Sequence, residues 1–355
     1  MNGEFAAIAR LAAALRAPPP GETWIGDDTA VVTPPRGWLL LATDAVVAGV
    51  HADLSITGLD DLGWKAVTAN VSDVAAMGGR PGYALVSVAG PGVTDLDLLY
   101  RGIGAAAEAY DCPVVGGDLS TSPALVVTVA VTGSVEGTPV RRSGGRPGDG
   151  IWCTGPLGGS AAGLRLLRER AGGGGERAGG GGETAGGGRE TAGGGGERAE
   201  GGVASPSAKP VAQSPPAMPV ARVLDPATVV ARVADHARPR AALAEGTAAR
   251  LAGATAMIDV SDGFSADLWH LADASRVGVE IGGLPVARGA TTAEALGGGE
   301  DYRLIFTAPD AASVRAAFGN LPAPIRVGTC VADPGRRLLD GVPFCPQGWQ
   351  HPWDV

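Results

Sequence analysis

The chain has 355 residues, of which 45% are hydrophobic and 18% charged, and its formal net charge at pH 7 is −9. This length exceeds one average domain and supplies enough apolar material for a sizeable core, so we expect two α/β domains. The negative charge argues against nucleic acid or an anionic membrane surface as a partner.

No apolar run is long enough to cross a membrane, and charges interrupt the N-terminal segment too often for a signal peptide. The four cysteines are scattered, without a CxxC pair or a metal-ligand spacing. This pattern is typical of reduced thiols in a cytosolic protein. The sequence therefore predicts a cytoplasmic α/β protein.

The N-terminal half alternates between helical and strand patterns. Apolar residues at helical spacing, with proline or glycine after them, predict helices over 4–16, from Asp60-Asp61 to about Met77 and from Thr94 or Asp95 to about Tyr110. Short apolar runs predict strands at 30–32, 38–43, 83–90, 113–118 and 124–135.

After a predicted strand at 151–155 and a helix at 160–170, the composition changes. Glutamate recurs every seven residues over 169–202 among runs of glycine, and proline, alanine and serine dominate 203–220. Glycine stands where a coiled coil needs apolar side chains, and ordering so much glycine costs entropy. We interpret about 170–220 as a disordered, spacer-like insertion. An inert expansion and a functional role both remain open, and we favour the first.

The remaining chain again alternates between helix and strand. A helical stretch is predicted at 226–252 and is followed by the block AMIDVSDG at 256–263. A helix is predicted near 265–275, a strand at 277–281 and a helical stretch before the block GGGEDYRLIFTAP at 297–309. The predicted fold is mixed α/β with mixed sheets. Its domains are 1–145 and 146–355, the second interrupted by the insertion.

Acidic residues recur at predicted strand ends beside small residues. The six clusters are Gly26-Asp27-Asp28, Thr43-Asp44, Ser72-Asp73, Gly116-Gly117-Asp118, Asp259-Val260-Ser261-Asp262 and Gly299-Glu300-Asp301. A single such aspartate is usually a turn former or a helix cap. Six with one pattern indicate Mg²⁺, because glycine lets a ligand approach closely and a carboxylate offers a hard oxygen. Converging carboxylates also repel each other unless cations neutralise them.

A nucleotide polyphosphate is a ligand that requires such metal-bound carboxylates, since Mg²⁺ screens the β- and γ-phosphates of ATP during transfer. The chain has no GxxxxGK[ST], no HRD or DFG signature and no GxGxxG after a strand. The glycine repeat at 172–196 lacks the lysine, the strand and the helix of a phosphate-binding loop. The residues thus indicate aspartate-held magnesium in place of a P-loop.

Nine sequence blocks occur in one order outside the insertion: GEF, IGDDTAVV, ATDAVVAGVH, DLGWKAVTANVSDVAAMGGRP, VVGGDLS, RRSGGRPGD, GPLGGSAAGL, IDVSDGFSADL and GGGEDYRLIFT. In this order they resemble the thiamine-monophosphate kinase family, whose superfamily includes aminoimidazole ribonucleotide synthetase. The long NVSDVAAMGG and GGEDY blocks are specific, whereas GDD or GGD alone is weak.

The resemblance implies ATP- and Mg²⁺-dependent phosphorylation of thiamine monophosphate to thiamine diphosphate, the last step of that cofactor's synthesis. It also implies the two-domain aminoimidazole ribonucleotide synthetase-like fold and a homodimer formed through the N-terminal domain, which binds ATP and magnesium. The alternatives are another ATP-dependent enzyme of the superfamily, of cyclo-ligase type, and a non-catalytic carrier relative.

The resemblance also implies residue roles. The implied magnesium ligands are Asp28, Thr43, Asp44, Asp73, Asp118, Asp259 and Asp262, of which Asp73 and Asp28 are assigned to catalysis. The implied ATP contacts are Tyr110, Gly117, Asp118, Arg142 and Ser261. The implied thiamine phosphate contacts are His51, Glu300 and Trp349. Other interpretations stay open: Trp353 is an alternative to Trp349, and both Tyr110 and Trp349 are equally plausible as structural aromatics.

Overall fold

A computed structural model of the chain describes residues 4–173 and 224–349. The helices in these ranges are α1 Glu4–Ala14, α2 Leu59–Ala76, α3 Leu96–Ala109, α4 Gly159–Gly173, α5 Pro226–Ala237, α6 Leu243–Leu251, α7 Phe264–Ser275, α8 Thr292–Gly297 and α9 Ala311–Phe318. The strands are β1 Trp38–Val47, β2 Arg80–Gly90, β3 Val114–Thr121, β4 Val126–Val135, β5 Gly150–Cys153, β6 Ala256–Asp259, β7 Gly278–Ile281, β8 Leu304–Ala308, β9 Ile325–Val331, β10 Arg337–Leu339 and β11 Val342–Pro343.

The strands form two sheets, both mixed. The first has the order β1-β4-β2-β3, in which only β2 and β3 run parallel. The second has the order β11-β10-β7-β9-β5-β8-β6, in which only β10 and β7 run parallel. The predicted mixed α/β fold is therefore confirmed. The first sheet ends before residue 145 and the second begins after it, and the domain boundary itself stays a prediction.

Helix α2 lies between the two sheets and is buried around its whole circumference. One side packs on β1 and β4 of the first sheet, and another contacts β6 and α6 of the C-terminal half. A helix surrounded by protein needs small or apolar side chains, and every polar group it carries needs a partner. This position makes α2 the element that connects the two halves.

Glycine permits the close contact between α2 and α3. A Cβ on Gly102 of α3 would lie 1.7 Å from the carbonyl oxygen of Asp60, and a Cβ on Gly63 of α2 would lie 2.3 Å from that of Leu99. Neither position has room for a side chain, so glycine at both allows the helix backbones to approach each other.

Several boundaries differ from the sequence predictions. The run at 30–32 forms no strand, because Val31 makes only an isolated bridge with Thr23. The stretch at 226–252 is two helices, α5 and α6, since Pro239 cannot continue a helix. The N-cap of α2 is Gly58, so Asp60 and Asp61 lie in the first helical turn.

The insertion predicted from about residue 170 begins within α4, which ends at Gly173, and its remainder lies outside the described residues. All four cysteines lie in the described ranges as free thiols, three of them buried. No described helix combines the length and apolar character that crossing a membrane requires.

Candidate active site between the two sheets

Three of the predicted magnesium ligands lie together between the two halves. Asp44 is on β1, Asp73 is near the end of α2, and Asp259 ends β6. The side chain of Asp73 shares a hydrogen bond with that of Asp44 and feels the charge of Asp259. Asp259 is almost completely buried, whereas Asp44 is exposed. We call Asp44, Asp73 and Asp259 the carboxylate cluster.

Burial, together with the charges of Asp259 and Asp44, raises the pKa of Asp73 to about 8. Burial also raises the pKa of Asp259, against the opposing effect of a hydrogen bond from Ser72. The folded protein therefore holds these carboxylates where their ionised forms repel one another. A bound cation would relieve that repulsion.

Polar side chains of α2 hold the cluster in place. The Oγ of Ser72 donates a hydrogen bond to Oδ2 of Asp259 at 2.7 Å. The amide oxygen of Asn70 accepts a hydrogen bond from the backbone N–H of Asp44 at 2.9 Å. The Nδ2 of Asn70 donates to the carbonyl oxygen of Ala66, also at 2.9 Å. Neighbouring residues of α2 thus hold both β1 of the first sheet and β6 of the second sheet.

Arg142 supplies positive charge at this cluster. Its guanidinium lowers the pKa values of both Asp73 and Asp259, although burial outweighs it. The carbonyl oxygen of Arg142 accepts a hydrogen bond from Oγ of Ser275 at 3.0 Å. The side chain of Arg142 is exposed, so its charge stands at the solvent side of the cluster.

The loop after β6 carries Ser261 and Asp262, and Asp267 of α7 organises it. The Oδ2 of Asp267 accepts hydrogen bonds from the backbone N–H groups of Ser261, Asp262 and Gly263 at 3.1, 3.2 and 3.1 Å. Burial, with the charges of Asp259 and Asp262, raises the pKa of Asp267 to about 8. Asp267 is not among the site residues predicted from the sequence, although an acidic residue in the first turn of a helix that follows a glycine loop is a recognisable signal.

Glu300 and Trp349 both adjoin this loop. The N–H of Glu300 donates to the carbonyl oxygen of Ser261 at 2.8 Å, and the N–H of Trp349 donates to that of Asp262 at 3.1 Å. Glu300 has a left-handed backbone with φ of 61°, which is uncommon for a residue with a side chain. The buried Tyr302 feels the charges of both Glu300 and the carboxylate cluster, so these groups border one region.

His51 lies in the turn that follows β1, a few residues beyond Asp44. The backbone N–H of Val47 donates a hydrogen bond to Nδ1 of His51 at 2.9 Å. A neutral ring that accepts at Nδ1 carries its proton on Nε2. The structure thus places His51 beside the strand that supplies Asp44.

The other predicted site residues lie away from the cluster contacts. Following the strand pairing from β1 through β4 and β2 to β3, Asp44 aligns with Gly117, and Ala45 aligns with Asp118. Successive side chains of a strand point to opposite faces, so Asp118 lies on the face of the first sheet opposite to that of Asp44. Three inter-strand spacings separate β1 from β3, about 14 Å. Asp118 accepts a hydrogen bond from Oγ of Ser120 at 2.7 Å.

Gly117 and Tyr110, two of the predicted ATP contacts, each have contacts within the fold. A Cβ on Gly117 would lie 1.8 Å from the carbonyl oxygen of Val86. The hydroxyl of Tyr110 shares a hydrogen bond with Thr68 at 3.2 Å and accepts one from the N–H of Ala241 at 3.2 Å. The tyrosine that feels the charge of Asp118 is Tyr100, and burial with that charge raises the pKa of Tyr100 to about 12.

Asp28 and Thr43 complete the predicted set. Asp28 is exposed in the loop after α1, and its backbone N–H donates to the carboxylate of Asp27 at 2.8 Å. The hydroxyl of Thr43 donates to the carbonyl oxygen of Val129 at 3.1 Å. Thr43 alternates with Asp44 along β1, so its side chain lies on the other face of the sheet.

Within residues 4–173 and 224–349, no three His, Cys, Asp or Glu side chains form a ready metal site. The donor chemistry nevertheless fits Mg²⁺, because the cluster offers several hard carboxylate oxygens whose repulsion a divalent cation would relieve. Magnesium in proteins is usually held by one or two carboxylates together with substrate phosphates. The residues present therefore fit a metal that enters with a phosphate ligand.

Comparison with known proteins defines the class. The family model described as AIR synthase related protein, N-terminal domain, matches residues 26–135, which include the first sheet and α2. A solved structure of AaThiL complexed with AMPPCP and TMP is 30% identical, has a TM-score of 0.67 and covers 98% of this chain and 97% of that chain. The fold is therefore that of the aminoimidazole ribonucleotide synthetase-like class.

Curated relatives define the family more narrowly. Thiamine-monophosphate kinase of Salmonella typhimurium is 31% identical over 371 residues, 98% of each chain. That of Bacillus subtilis is 42% identical over 151 residues, so the match spans 41% of this chain and less than half, 46%, of that protein. The chain belongs to the thiamine-monophosphate kinase family, because the Salmonella relative matches it over nearly its whole length. The predicted kinase class is thus confirmed for the family.

Proposed function

We propose that this protein transfers the γ-phosphoryl group of ATP to thiamine monophosphate, giving thiamine diphosphate and ADP. The observation that carries the proposal is the carboxylate cluster with Arg142 beside it, between the two sheets of a thiamine-monophosphate kinase fold. The relative complexed with AMPPCP, an ATP analogue, and TMP supports the same pair of substrates. The reaction is the last step in the synthesis of thiamine diphosphate.

The acceptor requires no catalytic base. A phosphate monoester is largely dianionic at neutral pH, because its second pKa is about 6, and its oxygen is already a nucleophile. In an in-line transfer, this oxygen forms a bond to the γ-phosphorus while the bond to the β,γ-bridging oxygen breaks and its electrons leave with ADP. The remaining obstacle is repulsion between two anions.

The residues assigned to magnesium are Asp28, Thr43, Asp44, Asp73, Asp118, Asp259 and Asp262, of which three form the carboxylate cluster. When bound, Mg²⁺ would screen the phosphate charges and orient the reacting oxygens. Asp73 shares a hydrogen bond with Asp44 and feels the charge of Asp259, so it would be central to holding the metal. Arg142 adds a fixed positive charge for the nucleotide phosphates. Tyr110, Gly117, Asp118 and Ser261 remain proposed ATP contacts.

The acceptor is assigned to the border of the cluster. His51 follows the strand of Asp44 and is assigned to the phosphate of the acceptor. Glu300 and Trp349 flank the Ser261–Asp262 loop, where a carboxylate and an indole ring suit the cationic, aromatic part of thiamine. This arrangement leaves the phosphate of the acceptor directed toward the metal-binding carboxylates.

We also propose that the protein is a homodimer that forms through the first sheet, and that it acts in the cytoplasm. Leu39, Leu41 and Leu85 share one face of that sheet by register and are 53%, 73% and 47% exposed. Exposed leucines on one face of a sheet favour association with another protein surface. The N-terminal domain would then supply both the nucleotide site and the dimer contact.

The test is the direct detection of thiamine diphosphate after incubation of the protein with ATP, Mg²⁺ and thiamine monophosphate. Asp73→Asn should lower kcat about 100-fold or more, because it removes a carboxylate at the centre of the cluster. Asp97→Asn is the matched control, an exposed helical aspartate paired with Arg10 outside the site. Absence of product from the wild type would refute the proposed reaction, and a trapped phospho-aspartate would refute direct transfer.

A further inference from the structure

A buried lysine reaches from α2 to the loop that carries Glu300. Lys65 is 1% exposed, and its Nζ donates a hydrogen bond to Oε2 of Glu300 at 2.7 Å. A buried ammonium group needs a charged partner, since water no longer solvates it. Glu300 supplies that partner from the other half of the molecule.

A neutral histidine completes the surroundings of Lys65. The Nζ lies 3.3 Å from Nε2 of His236, while Oγ of Ser160 lies 3.1 Å from Nδ1. Burial, with the charges of Lys65 and Arg168, lowers the pKa of His236 to about 3, so the ring stays neutral. A neutral ring that donates at Nδ1 to Ser160 accepts at Nε2 from Lys65. The Nδ1 of His236 also lies 3.6 Å from Oε2 of Glu300, so Lys65, His236 and Glu300 form one group of neighbouring side chains.

The loop that carries Glu300 is also held by hydrogen bonds. The left-handed backbone of Glu300 is held by its N–H bond to Ser261, and the next residue, Asp301, accepts hydrogen bonds from the N–H groups of Gly158 and Ser160 at 2.5 and 3.1 Å. The Glu300 side chain is still 28% exposed. With Oε2 bonded to Lys65, Oε1 is the carboxylate oxygen left for a ligand.

We propose that Lys65 is a positioning residue for the acceptor substrate: it fixes the Glu300 carboxylate in one orientation, so that Oε1 receives a hydrogen-bond donor of a cationic, nitrogen-containing ring. This inference rests on the proposed function and deepens it. Because Lys65 and Asp73 are two turns apart on α2, the same helix sets both the acceptor ring and the metal-binding carboxylate. In this role Lys65 would act through Glu300, without contact to ATP or to the reacting atoms.

The experiment measures kcat and the KM values for thiamine monophosphate and for ATP. Lys65→Met should raise the KM for thiamine monophosphate about tenfold or more and change the KM for ATP less than about threefold. Lys65→Arg should recover part of the loss, because it can still donate to Glu300. Lys65→Gln should also raise the KM for thiamine monophosphate more than the KM for ATP, but by a smaller factor. It replaces Lys65→Met in the comparison if the methionine variant does not fold.

A double-mutant cycle separates positioning from general stability. In the Glu300→Gln background, Lys65→Met should add less than about a twofold change, because the two residues act as one unit. Arg238→Met is the control: it breaks ion pairs that join the C-cap of α5 to Asp60 and Asp61 of α2, without contacting Glu300, and should leave both KM values unchanged.

Three outcomes contradict the inference. The effects of Lys65→Met and Glu300→Gln could be independent in the cycle, or Lys65→Met could raise both KM values equally. The third is an Arg238→Met variant that raises the KM for thiamine monophosphate but not the KM for ATP. Each of these presupposes that the wild type forms thiamine diphosphate. A wild type without that activity would instead refute the proposed function, so the two failures are distinguishable.

Discussion

At the scale of single residues, α2 shows how burial gives polar side chains defined tasks. Lys65, Thr68, Asn70 and Ser72 are all almost fully excluded from solvent, and each has a hydrogen-bond partner. An unpaired polar group in such a place would cost about 1–3 kcal/mol, so these partners fix the orientation of each side chain. The helix can therefore present Asp73 to the cluster in one position.

His236 should make the stability of the protein depend on pH. Its folded-state pKa is lowered to about 3, whereas an unfolded histidine titrates near ~6.5. Between these two pKa values the unfolded chain binds a proton at His236 and the folded chain does not. The free energy of unfolding therefore decreases as the pH falls from ~6.5 toward about 3. At pH 5 the loss is about 2 kcal/mol, since each pH unit below ~6.5 costs about 1.4 kcal/mol.

The measurement is the free energy of unfolding in urea at pH 7 and pH 5 for the wild type and His236→Gln. The wild type should lose about 2 kcal/mol more than the variant over this interval. The buried aspartates titrate in both proteins, so their effect cancels in the difference. Identical pH dependences would show that His236 is not held neutral in the fold.

Asp267 should determine the geometry of the loop that carries Ser261 and Asp262. Asp267→Ala leaves three backbone N–H groups without their acceptor and should lower the free energy of unfolding by about 1–3 kcal/mol. Asp267→Asn keeps an acceptor oxygen and should lose less. Urea denaturation measures the stability, and magnesium-dependent turnover should fall in the same order. An alanine variant as stable and active as the wild type would rule out this role.

At the scale of elements, how closely two helices pack depends on which positions are glycine. Gly102 and Gly104 lie on the same helix, α3, but face different surroundings. A Cβ at Gly102 would overlap the backbone of Asp60 at 1.7 Å, whereas one at Gly104 would meet only Cδ2 of Leu15 at 3.4 Å. The first position is a backbone contact and the second an ordinary side-chain contact.

Gly102→Ala should therefore lower the free energy of unfolding by about 1–3 kcal/mol, the usual cost of overpacking. Gly104→Ala should be neutral or stabilising by up to about 1 kcal/mol, because alanine favours the helix over glycine. Thermal and urea unfolding of the two variants make a matched comparison. Equal stabilities would mean that α2 and α3 can separate without cost.

Element boundaries show which local signals the tertiary structure overrode. Asp95 caps α3 as its sequence predicts, accepting a hydrogen bond from the N–H of Leu98 at 3.0 Å. The run at 30–32 is as apolar as a strand, but Pro34 and Pro35 remove ladder donors directly after it. A short apolar run needs a neighbouring strand with free hydrogen-bonding groups, and the local sequence does not reveal whether one is adjacent.

At the scale of the whole molecule, the exposed face of the first sheet should decide the oligomeric state. Leu41→Lys places a charge on a side chain that is 73% exposed within the proposed dimer contact. Leu251→Lys is the matched control, since Leu251 of α6 is 68% exposed in the other half. Light scattering after size-exclusion chromatography should show a dimer for the wild type and Leu251→Lys, and a monomer for Leu41→Lys. A wild-type monomer would contradict the homodimer directly.

The sequence by itself determined the family, the mixed α/β class and the list of carboxylates, because these depend on ordered motifs and on local patterns of apolar residues. It also predicted most helices and strands, whose signals extend over only a few residues. It could not show that Asp44, Asp73 and Asp259 form one cluster while Asp118 lies on the other face of its sheet. Those relations depend on strand order and register, which are set by pairing between distant segments. For the same reason Asp267, His236 and the pairing of Lys65 with Glu300 emerged only with the tertiary structure: an ion pair across 235 positions of chain leaves no local pattern.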